Sequence, residues 1–467
     1  MLTGLILRNV EVEGRAGQDV RLHGGVVAEV GVGLAGPGQE FDGQGGALIP
    51  GLIDHHIHLL ATAAQANTLV LDQVRSPKEL AARIDAWAGG RPAGEWLRAS
   101  GYHERMAGLL NRDELDRLAP LHPIRVQHQT GSLWMLNSRA LDLVVTQDAP
   151  ACVERDGAGR PTGRIWRGDA WLRERIGNAP PKLAPLGARL AAFGVTGVTD
   201  ASASTDAGAA RLLANAWRAG DLPQRLMLMS AGALEVHADG AFMVGPVKIV
   251  LDEHDLPALE DMVARIKAAR AQARAVAVHC VTAVELMFTL AAFDEAGSQP
   301  GDRVEHGGMI GREAISDIAR LGLAVVTQPS FVFERGDRYL DDIDPAEHNH
   351  LYRCASLQAA GVPVAASSDA PYASFDPWSA MQAATRRRTR GGRSVGAGEI
   401  VSSQVALDMF LGAADRPGGA VRRTQVGAAA DLVLLKTGLR EALEVLDASL
   451  VAATFIDGMS RSVGAAK

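Results

Sequence analysis

Cysteine is scarce. Cys152, Cys280 and Cys354 are the three in 467 residues, they stand far apart, and no Cys-x-x-Cys pair exists. A disulfide framework and a thiolate zinc site are both excluded on that ground, and a reducing cytoplasm is the expected compartment. Long hydrophobic runs are also missing. No stretch reaches the roughly 18 apolar residues of a spanning helix, and the opening MLTGLILRNVEVEGR meets charge within eight residues and carries no small-residue cleavage site. Secretion and membrane insertion are therefore not expected. Charge of one sign is not in excess: 47 basic against 54 acidic side chains leave −7, too mild a field to gather nucleic acid or an anionic membrane. The expected partners are a small-molecule substrate and, as an open option, further copies of the chain.

Hydrophobic residues make up 47% and charged residues 22%, the balance of a folded globular protein. At roughly 100–200 residues per domain the length allows about three domain-equivalents, or one large barrel with additions. The first fifty residues read as short glycine-broken strands of an antiparallel sheet, LILRNVEVEG, DVRLHGG, VVAEVG and EFDGQGGALIPG. The style returns at the end in ADLVLL and SLVAATFIDG, so the two termini are expected to share one β-sandwich domain, residues 1–48 with 422–467. Between them, eight apolar runs alternate with alanine-rich helical stretches: ALIPGLIDHHIH, GVTGVTDAS, RLMLMS, GPVKIVLD, AVAVHC, DRVEHGG, LAVVTQP and VPVAASSDA. That alternation predicts an α/β fold, a (β/α)8 TIM barrel over 49–421. From about 61 to 189 the chain is too long for one connecting helix and holds Trp87, Trp96, Trp134, Trp166 and Trp171, which points to an inserted subdomain after strand one.

Most of these strands end in a polar residue. In Asp54-His55-His56-Ile57-His58 the two-residue period of a strand turns His56 and His58 to one face and His55 to the other, making a ready metal clamp. Lys248 sits inside an apolar strand, where an ammonium needs an ion pair such as Asp252, a depressed pKa or chemical conversion, for example to a carbamate. His279 and His306 end strands five and six. Asp369 ends strand eight, either as a helix cap or as a proton shuttle beside a metal. Strand eight adjoins strand one in a closed barrel, which brings Asp369 to the histidine pair.

With PGLIDHHIH, GSLWMLNSRAL, GRPTGRIWRGD, VKIVLD, AVAVHC, RVEHGG, VTQPSF and AASSDAPYASFDPW in this order, the chain resembles the amidohydrolase superfamily, within it the YtcJ-like group or amidohydrolase family 3. The resemblance implies a metal-dependent hydrolase of non-peptide C–N bonds: amide, N-formyl, N-acyl or cyclic amide. It implies metal ligands at His56, His58, His279, His306 and Asp369, with Lys248 at the position that is carboxylated in binuclear members. One or two divalent ions are expected, zinc first with manganese or iron as alternatives, and Asp369 moves the proton. Relatives often carry Gly-His where Gly131-Ser132 stands here, Asp-Gly for Asp252-Glu253, and Gly-Asp soon after the strand-five histidine, where Val281-Thr282-Ala283 stands. These departures leave the substrate open. Tyr102, His128, Trp134, Trp166, Gln328 and Phe331 are pocket candidates, each weighed against plain core packing. The run TRRRTRGGR from Thr385 reads as a solvated face. A hydrolytic deaminase of a heterocyclic ring, or a lactonase or phosphotriesterase, are the alternatives on the same scaffold, and a non-catalytic scaffold protein is disfavoured because every ligand is kept.

Overall fold

The computed structural model describes residues 4–463, apart from 67, 72–73, 131, 147, 177–180 and 236–238. Gly131, one of the departures named above, thus lies outside the described residues. The chain forms two compact units, Met1–Thr62 with Leu183–Lys467, and Ala63–Lys182.

The first unit is built on eight parallel strands: β1 (Leu52–Ile57), β2 (Val195–Asp200), β3 (Arg225–Ser230), β4 (Met243–Ile249), β5 (Val276–Cys280), β6 (Arg303–His306), β7 (Ala324–Thr327) and β8 (Val364–Ala366). They pair in chain order from β1 to β8, and each comes from one of the eight runs marked in the sequence. The sheet is nearly closed. Ser368, just past β8, donates from Oγ (2.5 Å) and N (3.0 Å) to the Asp54 carboxylate on β1, and the Asp369 amide donates to the His56 carbonyl at 2.8 Å. Outer helices supply one apolar face each. Leu259–Ala271, for example, buries Met262, Val263, Ile266 and Ala269 at helical spacing.

The run ALIPGLIDHHIH, read as one strand, is divided between two sheets. Leu48–Pro50 pairs antiparallel with Leu432–Leu435, and β1 begins only after Gly51. A Cβ at Gly51 would overlap the Thr196 side chain, so only glycine lets the chain pass from one sheet to the next here. The terminal segments make two four-stranded sheets over one core, in which Leu7, Val10, Val20 and Val27 meet Leu48, Leu432, Leu434 and Phe455. The N-terminal sheet is not wholly antiparallel, because Gln39–Asp42 runs parallel to Leu5–Val12. The solvated-face reading of the basic run also fails at Arg387 and Thr389, which are buried. Arg387 is fully buried, donating to the carbonyls of Val395 (3.0 Å), Tyr352 (2.8 Å) and Leu351 (2.7 Å). Distant carbonyls, invisible in the local pattern, solvate its charge.

The second unit has its own six-stranded sheet, in the order Val153–Arg155, Pro161–Trp166, Leu133–Leu136, Ile124–His128, Leu97–Tyr102 and Leu69–Val70. Helices with side-chain caps pack against it. Pro77–Ala88 starts at Ser76, and Arg112–Leu118 starts with an Asn111/Glu114 capping box. One face carries a core including Leu80, Ile84, Leu97, Tyr102, Val126 and Met135, the other a core around Trp134, Leu136, Leu141 and Ile165.

Candidate metal centre

Alternation along β1 sends His56 and His58 to one side, with ring centroids 5.3 Å apart, and buries His55 elsewhere. Neither ring nitrogen of His55 has a hydrogen-bond partner, and burial, aided by Arg303 and Arg422, pushes its pKa down to about 3. It is a neutral packing residue. Across the seam between β1 and β8, Asp369 Oδ1 lies 3.3 Å from His56 Nε2 and 3.2 Å from His58 Nε2, and Oδ2 lies 3.6 Å from His306 Nδ1. His56, His306 and Asp369 each present a ligand atom, all within 4.8 Å of one another.

Two of those three residues have left-handed backbones, φ +69° at His306 and +53° at Asp369. Such angles are costly for residues with a side chain and persist where surrounding structure holds them. At His306 the consequence is visible. Strict alternation would turn Glu305 and His306 to opposite faces, whereas here Glu305 reaches His56 while the His306 ring lies 4.7 Å from that of His56.

The rings of His56 and His58 are held from behind. His56 Nδ1 bonds to the fully buried Glu305, whose other oxygen accepts from Arg303 Nε at 2.5 Å. His58 Nδ1 meets Ser202 Oγ at 2.9 Å, and His306 Nδ1 meets Gln328 Oε1 at 3.0 Å. Gln328 in turn donates to Ser367 Oγ at 3.0 Å. Glu305, Arg303 and Ser202 were not singled out from the sequence. Arg-x-Glu on one strand face, directly before a strand-end histidine, was the available signal.

The centre contains buried polar atoms without hydrogen bonds: His56 Nε2, Asp369 Oδ1 and Lys248 Nζ. The 3.3 Å approach of the first two is close but not directed as a hydrogen bond. Lys248 is 3% exposed and forms no ion pair among the described residues, so the Asp252 salt bridge is not made. Burial holds its pKa below the ordinary lysine value. Burial likewise lowers His306 well below the usual imidazole value and His279, helped by Lys248 and His56, to about 4. Burial would raise Asp369, but His56, His58 and His306 outweigh it and keep the carboxyl well below its ordinary range. Burial opposes ionisation of Glu305 too, and Arg303, Lys248 and His56 override it. Imidazoles facing carboxylates, with directed atoms left unsatisfied, are the donor set a divalent cation takes. The His279 ring lies 4.5 Å from that of His306, on the same side of the barrel.

A match to the model of the amidohydrolase family covers residues 39–460. The chain belongs to the amidohydrolase family. It is accordingly an enzyme, an amidohydrolase acting on carbon–nitrogen bonds other than peptide bonds. Among its relatives, the N-substituted formamide deformylase of Arthrobacter pascens is 25% identical, over 99% of this chain and 98% of its own. The putative amidohydrolase YtcJ of Bacillus subtilis is 23% identical over 80% of each. In fold the chain is similar to an uncharacterized metal-dependent hydrolase from Pyrococcus furiosus (TM-score 0.70, 20% identity, 91% of this chain and 97% of that one). It is also similar to the N-isopropylammelide isopropylaminohydrolase of Burkholderia multivorans (TM-score 0.55, 18% identity, 99% of each).

The pocket candidates of this amidohydrolase fall into two groups. Gln328 and Phe331 belong to the barrel unit: Gln328 is committed to His306, and Phe331 is buried beside Tyr352. The other four belong to the second unit. Tyr102 is wholly in its core, with the hydroxyl donating to the Gly108 carbonyl at 2.6 Å. Trp134 is 5% exposed, with Arg98 and Arg125 against its ring. His128 bonds Thr130 and Glu104 at 2.9 and 2.8 Å, and the exposed Trp166 donates to Glu154 at 2.9 Å. No helix of the described residues is long and apolar enough to cross a membrane.

Proposed function

We propose that this chain is a metal-dependent hydrolase that opens the C–N bond of a small N-formyl, N-acyl or cyclic amide, with Asp369 as the proton carrier. The observation that carries the reading is the Asp369 carboxylate set within 3.3 Å of His56 and His58 and beside His306 at the open end of β1 and β8. The formamide deformylase among the relatives supports an amide-type substrate.

His56, His58, His279, His306 and Asp369 would hold the metal, zinc first, with Lys248 as a further ligand once carboxylated. A bound divalent ion supplies a Lewis acid for the carbonyl oxygen and lowers the pKa of water toward neutrality. Carboxylation joins the Lys248 nitrogen to the carbon of CO2 with loss of one proton, which turns a buried, unpartnered amine into an anionic oxygen donor. Asp369 takes the proton of the attacking water on a carboxylate oxygen and returns it to the leaving nitrogen, a double duty that needs one group within reach of both atoms. Glu305 and Ser202 hold the His56 and His58 rings by Nδ1 so that their Nε2 atoms stay aimed at Asp369, and Gln328 holds Nδ1 of His306.

Asp369→Asn tests this role. Retained metal with turnover of an N-formyl amide reduced about 100-fold or more is the expected result; near-normal turnover with metal bound contradicts it.

A further inference from the structure

At the rim of the barrel, on the helix Ser330–Asp342 that follows β7, stands a cation that its surroundings hold in place but do not neutralise. The Arg335 guanidinium lies 4.1 Å from the centroid of the buried Phe331 ring, and its NH2 donates to the Tyr372 carbonyl at 2.8 Å. It meets no carboxylate among the described residues. Arg338 on the same helix is matched to Asp342, and Arg393, which faces the helix, to Asp341, whereas Arg335 and, over the Phe333 ring, Arg390 have no carboxylate partner among the described residues. A guanidinium has five N–H donors in a rigid plane, and one is used here.

Tyr372 links this cation to the metal centre. Its amide donates to the Asp369 carbonyl at 2.9 Å, and its ring stands edge-on to His58 at 5.7 Å and 87°. The side chain is nevertheless 59% exposed. A large aromatic ring left open to solvent against a site histidine is a surface for part of a ligand to lie on. One residue therefore touches the site with its ring and the unpaired cation with its carbonyl.

We propose that Arg335 and Tyr372 form the subsite for the non-reacting part of the substrate, and that this part carries a carboxylate. The inference rests on the amide-hydrolase reading above and names its substrate class: N-formyl or N-acyl derivatives of amino acids, with the side chain along the Tyr372 ring and the carboxylate on the free donors of Arg335.

The test uses the whole metal-loaded protein and two probes, N-formylphenylalanine and its neutral carboxamide. Both kcat/KM and the dissociation constant by calorimetry are measured for the wild type, Arg335→Gln and Arg335→Lys. The wild type is expected to favour the acid over the amide by about ten- to a hundredfold. Arg335→Gln brings that ratio near one and leaves the amide within about twofold, and Arg335→Lys keeps part of the preference. Equal losses on both probes in Arg335→Gln, no preference in the wild type, or no binding of either probe overturns the subsite. Arg335-dependent binding of the acid without turnover keeps the subsite and counts against the hydrolytic reading. Turnover of both probes without Arg335-dependent discrimination does the reverse.

Discussion

At the scale of single residues, the centre depends on groups that never meet a substrate. The fully buried Glu305 accepts from His56 and Arg303, which fixes the ring so that Nε2 faces Asp369. Partners of this kind typically alter metal affinity by about 10–100-fold, and Glu305→Gln is expected to weaken metal retention by that factor, read by competition with a chromogenic chelator. Unchanged retention would make Glu305 a packing residue only. The histidines and Asp369 were legible in the sequence because each ends an apolar strand, where burial without a partner is costly. Glu305 was not, because alternation assigns neighbours on a strand to opposite faces and the left-handed turn at His306 cancels that rule. Arg387 escaped for another reason: its acceptors come from residues 35, 36 and 8 positions away.

At the scale of elements, the barrel strands were readable because each is a short apolar run closed by a polar residue, while the places where one sheet hands over to another were not. Gly51 lies between the terminal sheet and β1, with Thr196 filling the space a side chain would need. Gly51→Ala is expected to lower stability by about 1–3 kcal/mol, as overpacking does, measured by denaturant unfolding. The N-terminal sheet carries a pH dependence of its own. Burial opposes ionisation of Asp19, but Arg8 at 2.7 Å and the amides of Asn9 and Leu34, both at 3.1 Å, hold its pKa below the ordinary value. A depressed carboxyl stabilises the fold above its unfolded pKa, near 3.9, and that contribution is lost as pH falls through the folded value. Asp19→Asn should therefore be less stable than the wild type at neutral pH and should show a shallower loss in acid, the two stabilities converging in urea titrations once pH falls below the folded value. Parallel stability curves from pH 7 to pH 2 would remove Asp19 from the account.

For the whole molecule, the distribution of charge matters more than its sum. The −7 total bears only on the kinds of partner to expect, whereas the chemistry proposed above rests on three histidine strand ends and one aspartate of the barrel. The second unit was legible as a long, tryptophan-rich interruption, and its sheet order was not, since parallel and antiparallel pairings mix within it. The proposed reaction is the opening of a C–N bond at one metal centre. Its most direct test is the release of formate or acid from an N-formyl and N-acyl amide panel by chelator-stripped protein, as zinc, manganese or iron is titrated back and bound metal is counted on the same sample. No release without metal, and activity rising in proportion to metal bound, are the expected results. Full activity in the stripped protein, or none from any amide at full metal occupancy, would contradict the proposed reaction.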